Sequence, residues 1–509
     1  MNYADLFRVT LPETALEIAA LLVLFVDLSF VRKAALKTRV AVASLLGIAG
    51  CAVALFFLSC AGTAGFSFEG NLLLASSGAA AIAQVGVLAL TILTLLLFVG
   101  STFTRHAGEY VAVVLMAAAG GLVVSAAQDL LIIFIGLELL SLGLYILTAF
   151  NKHSGASAEA ALKYYLFGGM SAAFLLFGFS YFYGLTGSTN LSQIFTTLAV
   201  SNTGSTPLLL VAIILVVAGL GFKVAAVPFH LWAPDAYEGA PAPAAAFIAS
   251  VSKVASFTLL LNFGLSNQQL LLTQNAGFAK INAYVGLLHF QNSWMAVLWF
   301  MAALSIVVGN LAALAQISVR RLLAYSAIAH AGYVLLGVPR SGGGVSPFAG
   351  GTQAAVLYYV ITYGLTTIGA FGAVAVVERA TGSDKLDAFL GLHKRNPLLA
   401  AVLMVFFLSL AGIPPLVGFW AKFNLFAAVL TVGAGPIPFA LVALAIAMSA
   451  VSLYYYLQVL KRVYVMPAID ESPIQAHPVT LLTLVAIAAA IVACGCFPST
   501  LESWIASAF

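Results

Sequence analysis

Residues 221–255 read GFKVAAVPFHLWAPDAYEGAPAPAAAFIASVSKVA. Lys223 and Lys253 stand there in otherwise apolar surroundings, and Pro228 follows Lys223 by five residues. Outward on either side, residues 207–222 and 254–265 carry no charge. Apolar runs of about twenty residues can cross roughly 30 Å of hydrocarbon. In lipid the backbone must satisfy its own hydrogen bonds, so such runs are helices. A proline inside one removes a donor and clashes with the preceding turn. The stretch therefore reads as a broken membrane helix with a lysine at the break, a short polar connector, and a second membrane helix with a lysine inside it.

The same texture extends to both ends of the chain. Hydrophobic residues make up 62% and charged residues 7%, against about a quarter charged in a soluble domain. Period-2 alternation, the mark of a membrane barrel, is absent. An all-α polytopic membrane protein is expected, with about fourteen spans at 10–31, 38–60, 80–102, 109–127, 129–150, 160–184, 207–231, 242–265, 293–315, 321–338, 353–379, 397–428, 435–460 and 478–499. Residues 267–292 are polar and amphipathic and are expected to form a surface loop with a short interfacial helix. The first run is not expected to be a signal peptide, because acids flank it and its basic cluster follows it. Cys51, Cys60, Cys494 and Cys496 form no CxxC pair or haem, iron–sulfur or zinc spacing, and are read as packing residues. Nothing points to nucleic acid.

Loop lysines and arginines set orientation. Fourteen follow odd-numbered spans, including Lys37, Arg105, Arg320, Arg395 and Lys461. Only Lys280, Arg340 and Arg8 lie on the other side. Odd-numbered loops are thus expected to face the cytoplasm and both termini the opposite side.

Four basic residues remain, and all sit inside apolar runs: Lys163, Lys223, Lys253 and Lys422. Glu138 is the one acid deep in a central span. Charge inside a membrane helix is costly and marks function by default. Snorkelling or a static ion pair explains one such residue; five on separate helices point instead to movement of charge. Burial disfavours an ammonium and a nearby carboxylate favours it, so a lysine whose partner moves can load and release a proton. Glu159 lies four residues before Lys163 on the same helical face, where a simple exposed pair is an equal reading. His230, after Pro228, either passes protons to the cytoplasmic edge or caps the broken helix. His330, near Tyr325 and Ser326, is a relay candidate or a structural histidine.

A second break stands at Pro414–Pro415, ahead of Lys422. The two breaks fall in the seventh and twelfth spans, five helices apart. Five is odd, so two five-helix units must cross in opposite senses, and paired broken helices in inverted repeats point to a transport site. The expected organisation is an N-terminal three-helix addition (1–104), a first inverted repeat (105–266, spans 4–8), the loop 267–292, a second repeat (293–462, spans 9–13) and a C-terminal helix (463–509).

The run 221–255, with DLLIIFIGLELLSLGLYIL (129–147), RRLLAYSAIAHAGYVLLG (320–337) and LSLAGIPPLVGFWAKF (408–423), resembles the antiporter-like, proton-translocating membrane subunits of respiratory complex I. These are similar in turn to subunits of multi-subunit sodium/proton antiporters. The LPE at 11–13, the length and Lys422 look most like the subunit N branch; a subunit M type or a cation/proton antiporter subunit is the alternative. The resemblance implies a Glu–Lys couple at Glu138 and Lys223, a connecting lysine at Lys253, an exit residue at Lys422 and a further lysine at Lys163. It implies a translocase that is part of an NADH:quinone oxidoreductase in a bacterial inner membrane. The partners implied are a neighbouring antiporter-like subunit and small membrane subunits, with NADH, FMN, iron–sulfur clusters and quinone on other subunits and no cofactor or metal on this chain. Between Lys253 and Lys422 few ionisable groups are available, which leaves His330 and water.

Overall fold

The computed structural model describes residues 3–61, 64–68, 71–76, 78–200, 207–273, 281–340, 351–432, 435–468 and 470–509. In chain order these form α1 (Tyr3–Val9), α2 (Leu11–Ser29), α3 (Leu36–Ala61), the strands β1 (Ala64–Phe68) and β2 (Asn71–Ser76), and α4 (Ala79–Phe98). Then come α5 (Ala107–Ala126), α6 (Leu130–Thr148), α7 (Gly155–Thr186), α8 (Leu191–Val200), α9 (Pro207–Val224), α10 (Trp232–Gly239) and α11 (Ala242–Thr273). The remainder are α12 (Ile281–Leu314), α13 (Val319–Gly337), α14 (Gly351–Thr381), α15 (Leu392–Arg395), α16 (Pro397–Ala411), α17 (Val417–Val432), α18 (Pro436–Tyr464), α19 (Pro478–Cys496) and α20 (Pro498–Ala506).

Polar side chains satisfy the free donors at several helix starts. Asp129 accepts from Leu131 N at 2.9 Å, Ser318 from Arg321 N at 3.1 Å and Asn396 from Leu399 N at 2.9 Å. Among the described residues eleven helices are long and apolar enough to cross a membrane. Two expected spans, α2 and α13, are helical but more charged: α2 holds Glu13, Glu17 and Asp27, and α13 opens with Arg320 and Arg321. Asp27 is buried and takes two hydrogen bonds from Arg39, one of them at 2.8 Å to Nε, whereas Glu17 is exposed.

Two features depart from the expectation. Helix occupies much of 267–292, since α11 runs to Thr273 and α12 starts at Ile281; residues 274–280 of the expected loop lie outside the described residues. An unforeseen antiparallel hairpin, β1–β2, follows α3 and packs Phe66 and Leu74 against Val9 and Ala126.

At the centre stands α11, buried along its whole apolar length and packed against α14, α4, α5 and α9. The two proline breaks flank it in sequence. Helix α9 ends at Val224, Ala225 takes a positive φ of 60°, and α10 begins seven residues beyond Ala225. Ser305 of α12 accepts from Val227 N at 2.9 Å, and the Trp232 indole donates to Phe222 O at 3.0 Å. The second break separates α16 from α17, each too short to cross alone. Gly412 ends α16 in the left-handed region at φ 88°, a conformation that a Cβ would penalise. The peptide bonds Val227–Pro228 and Pro414–Pro415 are both cis.

Candidate functional site

Helix α6 carries Glu138 and Ser141 one turn apart, facing α9. Lys223 Nζ lies 3.7 Å from Glu138 Oε1, an ion pair longer than a hydrogen bond, and donates to Ser141 Oγ at 2.5 Å. Lys223 is almost fully enclosed, while the Glu138 side chain keeps 26% exposure.

Deep in α11, Lys253 Nζ donates to Ala327 O at 2.5 Å and sits 5.4 Å from the Tyr363 ring centroid. A cation over an aromatic face gains electrostatic attraction. Lys253 and His330 share a cavity of about 10 Å³ with Phe257 and Tyr363. A second cavity of about 10 Å³ also adjoins His330 and Tyr363, against Tyr359, Thr362, Thr366, Ser409 and Leu410. Each is about the size that admits one water.

His330 is held between two phenols, with Nδ1 2.8 Å from Tyr359 Oη and Nε2 3.5 Å from Tyr456 Oη. Tyr456 bonds in turn to Ser326. The Tyr363 ring leans on the imidazole with centroids 4.8 Å apart. Each His330 nitrogen thus has a hydroxyl that can donate or accept.

Lys422 Nζ donates to Leu410 O at 3.0 Å, Ala411 O at 2.9 Å and Ser449 Oγ at 2.8 Å. The two carbonyls belong to the last turn of α16, which the break leaves without intrahelical partners. A positive group there also complements the helix dipole.

Lys163 lies apart, 42% exposed on α7, paired with Glu159 at 2.7 Å and with Asp235 at 2.8 Å. His230 is half-buried in the connector, and among the described residues no hydrogen bond ties it to the lysines. The structure therefore brings together Glu138 with Lys223 and groups Lys253 with His330 in one cavity, while the other cavity at His330 reaches Leu410, whose carbonyl holds Lys422; Lys163 and His230 line neither cavity. Sequence reading missed the second partner of Lys163, the carbonyl cradle of Lys422 and the phenols around His330. The phenols were visible as tyrosine pairs and triplets at 358–359 and 454–456 in apolar helices.

The fold is that of a polytopic helical membrane protein with buried lysines at or beside both helix breaks. Residues 127–270 and 265–449 match the family described as "NADH:quinone oxidoreductase/Mrp antiporter, TM". The chain belongs to this family. It is 48% identical, over 520 aligned residues covering 99% of both chains, to NADH-quinone oxidoreductase subunit N 2 of Acidobacterium capsulatum. It is similar to a chain of respiratory complex I from Thermus thermophilus, at 32% identity and TM-score 0.77 over 98% of this chain and 100% of that one. A chain of the Mrp complex from a Dietzia species shares the fold, with TM-score 0.78 at 19% identity over 98% of this chain and 96% of the other.

Proposed function

We propose that this chain is the antiporter-like, proton-translocating membrane subunit of an NADH:quinone oxidoreductase, of the subunit N type. The observations that carry the reading are the buried Glu138–Lys223 pair and a second buried group, Lys253, His330 and Lys422, in which two water-sized cavities adjoin His330. Its relative in Acidobacterium bears the subunit N name over the full length.

The steps follow from the contacts. Glu138 stabilises the charged form of Lys223. When their 3.7 Å pair weakens, the ammonium loses the one counter-charge it has among the described residues and its proton moves inward to Lys253. His330 accepts on one nitrogen and gives up a proton from the other, its phenol partners adjusting in step. Lys422 receives the proton and releases it to the far side. Electron transfer from NADH through FMN and iron–sulfur clusters to quinone is assigned to other subunits. A neighbouring antiporter-like subunit and small membrane subunits cover the flanks of this chain.

The same reading places it in a bacterial inner membrane, with spans 4–8 (105–266) and 9–13 (293–462) as inverted five-helix repeats within fourteen spans. Single cysteines at Lys37 and Ser507 test the topology. Lys37→Cys is expected to label only from the cytoplasmic side and Ser507→Cys only from the opposite side. Labelling of both from one side would rule out the fourteen-span arrangement.

Lys422→Ala tests the exit role. Proton pumping per assembled complex is expected to fall at least about tenfold, while assembly falls far less, because Ser449 and the α16 carbonyls can take water in place of the ammonium. A normal ratio of protons to electrons in reconstituted vesicles would remove Lys422 from the route. Pumping of sodium without an electron donor would favour a stand-alone antiporter instead.

A further inference from the structure

The connector α10 is gripped from both halves of the molecule. From the first half, Lys163 of α7 donates to Asp235 Oδ2 at 2.8 Å. The next residue, Tyr164, stacks flat on Trp232 with ring centroids 4.0 Å apart. Gly239 lies so near α7 that a Cβ there would meet Ala156 O at 2.7 Å. From the second half, Arg321 of α13 donates to Asp235 Oδ1 and to Glu238 Oε2, both at 2.8 Å. Arg320 donates to Ala240 O and pairs with Glu378 of α14 at 3.2 Å.

Asp235 is thus one carboxylate whose two oxygens are taken by cations from different halves. Burial pushes its carboxyl up, but the bonds from Lys163 and Arg321 outweigh this and hold it below the usual carboxylate range. It remains charged at neutral pH. Three residues earlier, the Trp232 indole holds Phe222 O at 3.0 Å, and Phe222 precedes Lys223. A short path of side chains therefore joins Arg321 to the backbone beside Lys223.

We propose that Asp235 is a positioning residue that couples the two halves: held between Lys163 and Arg321, it seats α10 so that Trp232 fixes the backbone at Lys223. The inference rests on the reading of Lys223 as a proton-loading group. The pairs are unsuited to a purely stabilising role, since Lys163, Asp235 and Arg321 are 42%, 26% and 31% exposed, and solvent screens such pairs. They are suited to exchange, because Lys163 has Glu159 at 2.7 Å as a second partner. If Lys163 shifts to Glu159 alone, Asp235 keeps only the cation of the second half, and the first half holds α10 by the Tyr164 stack and the Gly239 contact without a charge.

The test uses the whole complex in proteoliposomes, with assembly measured on native gels and proton pumping measured per assembled complex. Asp235→Asn is expected to lower pumping about tenfold, the scale of a slightly misplaced reacting group. Asp235→Glu is expected to restore most of it. Arg321→Gln added to Asp235→Asn is expected to cause little further loss, because both act on one unit. Should Asp235→Asn fail to assemble, Arg321→Gln carries the test, since it leaves the Lys163–Asp235 pair in place; native pumping from its assembled complex overturns the proposal. So does native pumping by assembled Asp235→Asn when Lys223→Met is silent. If Lys223→Met itself pumps normally, the relay reading has failed.

Discussion

Glu138→Gln combined with Lys223→Met is expected to destabilise the subunit by less than the two single changes added together, and still to pump no protons. Removing one partner of a buried ion pair strands the other, at about 3–5 kcal/mol when both are fully enclosed. Here the separation is 3.7 Å and Glu138 is 26% exposed, so a coupling of about 1–2 kcal/mol is expected, within the usual range for residues in contact. Ser141 keeps some of the polarity satisfied in either single variant, because its hydroxyl lies 2.5 Å from Lys223 Nζ. Thermal unfolding of the four proteins of the cycle gives the coupling, and pH change in vesicles gives transport. Additive losses would show that the pair is not one unit. Full pumping by the double variant would take the gate away from these residues altogether.

His330→Phe is expected to reduce pumping at least about tenfold by removing the imidazole that, together with the Tyr363 ring, lines both water-sized cavities. The ring volume is nearly kept, so the packing against Tyr363 survives. The phenol of Tyr359 loses its 2.8 Å partner, at a cost of about 1–3 kcal/mol for a buried group left unsatisfied. Tyr359→Phe added to His330→Phe is expected to recover stability without recovering transport. Unaltered transport in His330→Phe would mean that the proton passes from Lys253 to Lys422 by another path.

The membrane class, the helices and both breaks were legible because each rests on local chemistry. An apolar run is helical in lipid whatever surrounds it, and the prolines at 228 and 414–415 interrupt the helix wherever they occur. That a deep acid needs a deep base was legible from the cost of either alone, but the choice of Lys223 as the partner of Glu138 came from the family resemblance. Other features depend on contacts across large sequence separations. Nothing near Lys163 in sequence announces Asp235, 72 positions away. The hairpin β1–β2 lies between long helices and has no apolar face broad enough to signal itself. Helix in the margins of 267–292 was masked by polarity, because polar residues at the ends of a membrane helix look the same as those of a loop. His330 was visible, but its role was undecidable until Tyr359 and Tyr456 came from two other helices to meet it.

The cradle of Lys422 has a consequence for what happens after its proton leaves. An ammonium has three N–H donors, and three acceptors meet it: Leu410 O, Ala411 O and Ser449 Oγ. The neutral amine has two donors and one lone pair. A carbonyl oxygen has no hydrogen to offer that lone pair, so the two backbone acceptors keep the two remaining donors. Only Ser449 can reverse, by turning its hydroxyl to give a hydrogen where it had received one. The charged and neutral forms are then both fully bonded with the heavy atoms in place. Loss of the proton requires a rotation about one C–O bond, and the break between α16 and α17 need not open for the site to empty.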